Sequence, residues 1–274
     1  MTHYFVGGAQ RTGTTLLQSV LCSAPETNPL IREAKYFRLL VQAYWHGRAR
    51  LRAETADYFE DLEELQSFHM DVVHELLRHL HERFNVEHLV LKDPDQTRLF
   101  PEICELIPEA KCLCLVRDPR DTIASLINVG KRFAEGGIDN APLTALLRGR
   151  NIKSLCAHYL SYYRRLLRKR AALEPAHLLF VRYEDLVGET GATLDKIAAF
   201  TELDLASFDP GQPRALGAYG KMADDPYNRC WLSDTQGQAF TTARVGAYSA
   251  TLSGEEATAI KAVCKPLMDA FNYD

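Results

Sequence analysis

Long apolar runs are missing from this sequence. No stretch approaches the roughly 18 uninterrupted apolar residues that a membrane helix needs, and no basic segment followed by an apolar run opens the chain. The seven cysteines are scattered, odd in number and never spaced as CxxC, which argues against a disulfide framework and against a zinc site. We therefore expect reduced thiols, no membrane span, no signal peptide and a soluble cytoplasmic protein.

A strong charge of one sign is also missing. The net charge of -4 disfavours nucleic acid as the main partner, although a local basic pocket is compatible with it. The 274 residues are 46% hydrophobic and 25% charged, a composition that supports a sizeable core and excludes a disordered chain. No internal repeat or low-complexity linker divides the sequence, so we expect a single domain over residues 1–274.

Four apolar runs, separated by helical patterns, predict an α/β fold with a central parallel sheet flanked by helices. These runs are residues 3–6, 88–91, 111–116 and 178–181. The pattern also predicts a long amphipathic helix over 54–84, where three histidines at five-residue spacing form a partly solvated face. A capping box at Ser253 and Glu256 precedes a predicted apolar stripe of Ile260, Val263, Cys264, Leu267 and Phe271.

The start of the chain nearly matches a phosphate-binding loop, but the lysine of that loop is absent. Residues 4–17 read YFVGGAQRTGTTLL, which predicts a strand, a tight turn and a helix N-terminus. The backbone N–H groups of such a loop favour anion binding. Because Thr14 stands where a Walker A loop requires lysine, the sequence argues against an ordinary ATP or GTP enzyme. Arg11 is the candidate for the missing positive charge. The alternative is a glycine-rich turn that only connects two core elements.

A second motif, LVRDPRDTIAS, ends the third predicted strand. Asp118 and Pro119 predict the start of a helix, and Ser125 lies two turns into it. An arginine fork at Arg117 and the Ser125 hydroxyl suit a second phosphate. A Walker B strand would end in an aspartate that holds magnesium, whereas this strand ends in Arg117. Two anion pockets without a metal carboxylate predict a nucleotide with phosphates at both ends of its ribose.

Together these motifs resemble those of sulfotransferases that use 3′-phosphoadenosine 5′-phosphosulfate (PAPS). In that family R-[ST]-G-T-T-L grips the 5′-phosphosulfate and R-D-P-R-D-x-x-x-S grips the 3′-phosphate, and both motifs occur here about a hundred residues apart. The resemblance implies a P-loop NTPase-like sulfotransferase fold, PAPS as the sulfuryl donor and no metal. It also implies a tyrosine contact to adenine and a loop that closes on the nucleotide. The implied nucleotide-binding residues are Arg11, Thr12, Gly13, Thr14, Thr15, Leu16, Arg117, Ser125, Tyr183, Thr242, Arg244, Val245 and Gly246.

The same resemblance implies the catalytic residues. The segment around Glu33 is similar to the one that carries a glutamate base in carbohydrate and tyrosyl-protein sulfotransferases, whereas the phenol and hormone enzymes use a histidine. Lys92 and Arg11 would stabilise charge on the sulfuryl and bridging oxygens, and Ser233 is a further candidate. The alternatives are a surface ion pair of Glu33 with Lys35 and a plain ion pair of Lys92 with Asp93.

The sequence analysis thus predicts sulfuryl transfer from PAPS to a hydroxyl of a small molecule, a sugar or a tyrosine. Insertions at about 36–90, 130–155 and 205–240 would form the acceptor side, and 205–243 would act as a flap. The acceptor stays unidentified, and the oligomeric state stays open, a dimer included. Two rival hypotheses are a nucleotide kinase or NTPase with a degenerate loop and a non-catalytic nucleotide-binding protein.

Overall fold

The computed structural model describes residues 1–139, 142–212, 224–232 and 238–274. Within these ranges the strands form one parallel sheet in the order β2-β1-β3-β4. The predicted parallel sheet is therefore confirmed, and every strand begins within one residue of its predicted start. The strands are β1 (His3–Gly8), β2 (Leu89–Lys92), β3 (Ala110–Val116) and β4 (Leu178–Arg182).

Helices connect the strands and cover both faces of the sheet. They are α1 (Thr14–Leu21), α2 (Lys35–Ala49), α3 (Leu62–Phe84), α4 (Phe100–Leu106), α5 (Pro119–Glu135), α6 (Pro142–Arg148), α7 (Ile152–Leu173), α8 (Tyr183–Gly188), α9 (Thr190–Thr201), α10 (Pro226–Trp231) and α11 (Gly254–Ala270). Short 3₁₀ turns occupy Pro94–Leu99, Thr242–Arg244 and Ala247–Ala250, and a π-helical turn occupies Leu51–Thr55.

Alternate residues of the central strand β1 enter two separate cores. Phe5 faces the core beneath α2, where its ring stacks on Phe37 with the centroids 5.0 Å apart. Tyr4 and Val6 face the opposite core, which contains Leu17 of α1. Because both faces of the sheet are covered, its strands appear in sequence as nearly continuous apolar runs.

The predicted helix over 54–84 is wrong at its start. The α-helix begins only at Leu62, because the Asp61 side chain caps it by accepting the Glu64 N–H at 2.9 Å. The preceding residues Leu51–Thr55 form the π-helical turn. The amphipathic pattern continues across both segments and does not reveal the break.

Two smaller expectations about helix faces are also wrong. His69 is buried, its Nδ1 lies 2.9 Å from the Leu65 carbonyl oxygen, and its ring packs against Tyr44. The predicted solvated face therefore fails at His69 but holds for the other two histidines, since the His74 side chain is 41% exposed and His79 is exposed. Val263 leaves the predicted apolar stripe of α11, since it is 42% exposed while Cys264 and Leu267 are buried.

The functional motifs follow the carboxyl ends of the strands, and local caps fix where the next helices begin. The predicted caps are confirmed: Asp118 accepts the Arg120 N–H at 2.7 Å at the start of α5, and Ser253 and Glu256 form a capping box on α11. All strands run parallel, so the segments that follow their last residues converge on one edge.

Across the described ranges, no helix combines the length and apolar character of a bilayer span.

Candidate active site

A cavity of about 620 Å³ lies where the segments after the four strands converge. Most of the predicted site residues line it: Arg11, Gly13, Thr14, Thr15, Leu16, Glu33, Lys92, Arg117, Ser125, Tyr183 and Arg244. Thr12, Thr242, Val245 and Gly246 are not among the lining residues. The Thr12 hydroxyl instead donates to the Ala9 carbonyl at 2.7 Å, so this residue shapes the loop from beneath.

The loop between β1 and α1 presents a helix N-terminus to the cavity. Gly13 caps α1 with φ 99°, and a Cβ at this position would approach the Tyr183 ring to 2.9 Å. Only glycine therefore combines this backbone conformation with the close approach of Tyr183. Thr14 and Thr15 begin α1 at the cavity wall, where the helix dipole favours an anion.

Glu33 and Lys92 meet as an ion pair on the cavity wall. The Lys92 Nζ lies 3.3 Å from the Glu33 Oε1, and the lysine side chain is only 2% exposed. The segment that carries Glu33 is tied to β2 because the Ala34 N–H donates to the Lys92 carbonyl at 2.9 Å. Lys35 approaches the other Glu33 oxygen at 3.5 Å from an exposed position, so its contribution is weak.

Asp93, the neighbour of Lys92, is held by a different partner. Its Oδ2 accepts from the Arg38 Nε at 3.0 Å, and its Oδ1 accepts the Asp95 N–H at 2.9 Å. Burial raises the pKa of Asp93, and the nearby Glu33 carboxylate raises it further. Asp93 is thus paired with Arg38, and Lys92 is paired with Glu33.

Arg117, in the second predicted anion motif, links the first anion loop to the loop predicted to close on the nucleotide. Its guanidinium donates to the Arg11 carbonyl at 3.2 Å and to the Arg244 carbonyl, and lies over the Tyr183 ring at 4.4 Å. The buried Arg117 Nε has no hydrogen-bond partner among the described residues. A buried donor of this kind is satisfied when a ligand supplies an acceptor. A nucleotide phosphate fits this requirement.

Arg11 joins the subsite around Ser125. The backbone of Arg11 is left-handed, with φ 71°, and its Nε donates to the Ser125 Oγ at 3.1 Å. Its Nη1 donates to the carbonyl of Trp231 at the end of α10. The structure therefore places the loop arginine beside the hydroxyl that the sequence assigns to the second phosphate. Its predicted action on the sulfuryl group stays a prediction.

Several lining residues were not predicted. Asn128 and Arg132 follow Ser125 by three and seven positions on α5 and line the cavity with it. Arg132 donates to the Cys230 carbonyl at 2.8 Å, and the aromatic rings of α10 pack on Phe133. The helical spacing from Ser125 would have revealed Asn128 and Arg132. The Ser233 candidate lies outside the described residues.

The cavity concentrates positive charge. Among the described residues, seven lysines and arginines line it against three carboxylates, in a chain whose net charge is -4. Such local focusing suits a polyanionic ligand. No group of three or more His, Cys, Asp or Glu side chains in the described part of the chain is arranged to hold a metal ion. Independence from metal stays a prediction.

Comparison with known proteins identifies the family. A model described as the sulfotransferase family matches residues 4–207, and this chain belongs to that family. Among solved structures, the sulfotransferase domain from the curacin biosynthetic pathway is similar over 100% of this chain and 98% of its own, with a TM-score of 0.58 and 14% identity. Sulfotransferase STF9 from Mycobacterium avium is similar over 100% of this chain and 77% of its own, with a TM-score of 0.56 and 14% identity. The predicted sulfotransferase fold is confirmed.

Curated relatives show similarity over shorter spans. The omega-hydroxy-beta-dihydromenaquinone-9 sulfotransferase Stf3 of Mycobacterium bovis is 27% identical over 149 residues, which are 54% of this chain and 37% of the relative. Protein-tyrosine sulfotransferase 1 of Danio rerio is 26% identical over 129 residues, which are 45% of this chain and 35% of the relative. The matches thus span little more than a third of these relatives.

Proposed function

We propose that this chain transfers a sulfuryl group from PAPS to a hydroxyl of an acceptor, with Glu33 as the general base. The observation that carries the proposal is the Glu33–Lys92 ion pair at 3.3 Å, which lines the same cavity as Arg117 and Ser125. A carboxylate and a buried cation thereby share one space with a subsite suited to a phosphate. This combination supports transfer chemistry over nucleotide binding alone.

The donor supplies the sulfuryl group. The residues of this chain bind the donor, orient the reacting groups and accept the proton of the acceptor hydroxyl. Arg117 and Ser125 would hold the 3′-phosphate, whereas Arg11 and the N-terminus of α1 would hold the 5′-phosphosulfate, where Arg11 would stabilise charge on the sulfuryl oxygens. Glu33 would accept the proton of the acceptor hydroxyl. The buried Lys92 ammonium would orient Glu33 and stabilise negative charge that develops on transfer. Because a sulfuryl group carries less charge than a phosphoryl group, this arrangement requires no metal.

The acceptor is proposed only as a class. The two curated relatives are named for a hydroxylated menaquinone and for protein tyrosine, both of which present a hydroxyl. We extend that common feature to this chain and propose a hydroxyl on a small molecule, a sugar or a tyrosine. Segments 36–90, 130–155 and 205–240 would form the acceptor side, in keeping with Arg38 and Leu143 on the cavity wall.

Two rival functions are less well supported. A kinase or NTPase would need a lysine in the first loop and a magnesium carboxylate after β3, where the chain has Thr14 and Arg117. A non-catalytic nucleotide-binding protein would have no use for a carboxylate paired with a buried lysine beside the nucleotide site.

Radiolabelled sulfate transfer from PAPS across pools of hydroxyl acceptors tests the proposal, followed by mass spectrometry of the product. With an acceptor in hand, Glu33→Gln should lower the rate at saturating substrates by about 10²–10⁴, since it removes a general base. Affinity for 3′,5′-ADP, the nucleotide left after transfer, should change little. Glu135→Gln, at an exposed position of α5, is the matched control.

The outcome that contradicts the base assignment is near wild-type turnover in Glu33→Gln. Because Lys92 is buried, the variant leaves a cation without its carboxylate, so its melting temperature must be measured alongside. Loss of 3′,5′-ADP affinity together with turnover would assign Glu33 a structural role. Absence of transfer from PAPS to every hydroxyl pool, with ATP bound in preference to 3′,5′-ADP, would refute the function itself.

A further inference from the structure

The segment 242–250, which we call the closing loop, contacts the body of the protein through Tyr248, which packs against the larger core, and through several polar groups. It consists of two 3₁₀ turns, and neither turn contains a buried residue. Two arginines near the start of α5 contact this loop. Arg117, which precedes α5, donates to the Arg244 carbonyl, and Arg120, in its first turn, lies over the Tyr248 ring at 4.8 Å. Apart from Tyr248, the position of this loop therefore depends on a few directed polar contacts.

Two of these directed contacts come from the carboxylate of Asp121. Its Oδ2 accepts the Gly246 N–H at 2.8 Å, and its Oδ1 accepts the Tyr248 N–H at 2.9 Å. The carboxylate is only 1% exposed, and the nearest Arg117 nitrogen stands 3.9 Å away. The two amides, and not the arginine, thus make the short contacts. Two neighbouring backbone N–H groups around one carboxylate form an anion nest within the protein itself.

Glycine at position 246 permits the backbone conformation that this nest requires. Its φ of +70° places the backbone in the left-handed region, which a residue with a side chain adopts at a cost. A Cβ at Gly246 would meet no atom within 4 Å, so an alanine here would act through backbone strain and not through a clash.

Asp121 also stands on the wall of the cavity, together with Arg117, Arg244 and Tyr248. A carboxylate beside a phosphate subsite would repel the ligand unless its charge were already engaged. The two amide hydrogen bonds stabilise that charge, and the Arg117 guanidinium, 3.9 Å away, partly offsets it. The same bonds fix the backbone between Arg244 and Tyr248 relative to α5.

We propose that Asp121 is a positioning residue, which holds the closing loop against α5 so that Arg244 completes the subsite for the 3′-phosphate of the donor. The inference rests on the proposed function, because it assumes a nucleotide with a 3′-phosphate. Asp121 does not contact the reacting atoms in this scheme. It acts through the loop, and its loss affects nucleotide discrimination more than the chemical step.

Hydrogen exchange in the absence of nucleotide tests the first half of the proposal. Asp121→Asn keeps the shape of the side chain but replaces one acceptor oxygen with an amino group that faces a backbone N–H. Exchange of peptides covering 242–250 should accelerate at least tenfold, whereas Asp195→Asn, at an exposed position of α9, should leave it unchanged. Unchanged exchange in Asp121→Asn would overturn the proposal.

Calorimetry tests the second half. Asp121→Asn should weaken 3′,5′-ADP binding at least tenfold, leave AMP binding within twofold, and raise the KM for PAPS more than it lowers kcat. If the wild type itself failed to prefer 3′,5′-ADP over AMP, the proposed function would fall. If the wild type showed that preference and Asp121→Asn retained it in full, only the positioning role would be refuted.

A second variant keeps the proposal testable if Asp121→Asn does not fold. Gly246→Ala strains the left-handed backbone that offers its N–H to Asp121 and should also accelerate exchange of the closing loop and weaken 3′,5′-ADP. Gly254→Ala is the matched control, since a Cβ there also meets no atom within 4 Å and no left-handed backbone is involved. Equal behaviour of the two alanine variants would overturn the proposal.

Discussion

Replacement of Arg117 by alanine would test the nucleotide subsite most directly. Arg117 is 8% exposed at the end of β3 and donates to carbonyls of two different loops, those of Arg11 and Arg244. These contacts use two of its five N–H donors, and the buried Nε has no partner among the described residues, so donors remain for a ligand. The variant removes the ligand contact and the link between the loops together.

The expected magnitude follows from the type of contact. A hydrogen bond to a charged group contributes about 1.5–3 kcal/mol. Since each 1.4 kcal/mol corresponds to a factor of ten, loss of the Arg117 contact should weaken 3′,5′-ADP binding roughly ten- to a hundredfold. AMP, which lacks the 3′-phosphate, should bind with almost the same affinity to both proteins.

Titration calorimetry with 3′,5′-ADP, AMP, ATP and GTP provides the measurement. Arg164→Ala, at an exposed position of α7, controls for the loss of a positive charge elsewhere on the protein. Arg117→Lys keeps the charge but cannot reproduce the fork, so it should recover only part of the affinity. Equal losses for 3′,5′-ADP and AMP would refute the assignment of Arg117 to the 3′-phosphate. A wild type that prefers ATP or GTP would refute the whole nucleotide prediction.

Two further predictions concern pH and metal. Burial lowers the pKa of His3 from 6.5 to about 4, with Glu109 opposing the shift and His81 adding to it, so between these pH values the unfolded chain binds the proton that folded His3 does not. Stability should therefore fall by up to about 3 kcal/mol as the pH drops from 6.5 to 4, and denaturant titrations should show His3→Gln flattening this slope while exposed His79→Gln preserves it. Sulfuryl transfer should survive excess EDTA, and loss of turnover that magnesium restores would instead favour the kinase hypothesis.

Local sequence patterns were sufficient to predict the strands of the sheet and the starts of α5 and α11. Strands covered on both faces are continuous apolar runs, so their positions could be predicted to within a residue or two. The caps at Asp118 and Ser253 use side chains adjacent to the backbone groups they satisfy, which makes them visible in sequence. The start of α3 was mispredicted because the apolar spacing is continuous across the break before Asp61, although Asp61 and Glu64 form a cap of the same local kind.

The candidate site was predictable where its residues belong to contiguous motifs. Arg11 and Arg117 lie in motifs that follow β1 and β3, and parallel pairing brings those strand ends together. The contact of Asp121 with Gly246 spans 125 positions and depends on how the closing loop packs, so no local pattern indicates it. Helical spacing from Ser125 indicates Arg132 as a lining residue, but its contact with the Cys230 carbonyl spans 98 positions and is likewise not indicated by any local pattern.

The carboxylates of the cavity explain how an acidic chain can offer a basic site. Each of the three has nearby donors: Glu33 has Lys92, Asp95 has the Arg98 guanidinium at 2.6 Å and the Tyr162 hydroxyl at 2.9 Å, and Asp121 has two backbone amides with Arg117 at 3.9 Å. Nearby cations thereby offset these negative charges within about 4 Å, whereas Coulomb interactions with distant surface acids are screened by solvent and salt. The field at the nucleotide is therefore set by these local pairings and not by the net charge of the chain. It follows that a substitution which releases one of these carboxylates should impair anion binding more than the removal of several surface lysines.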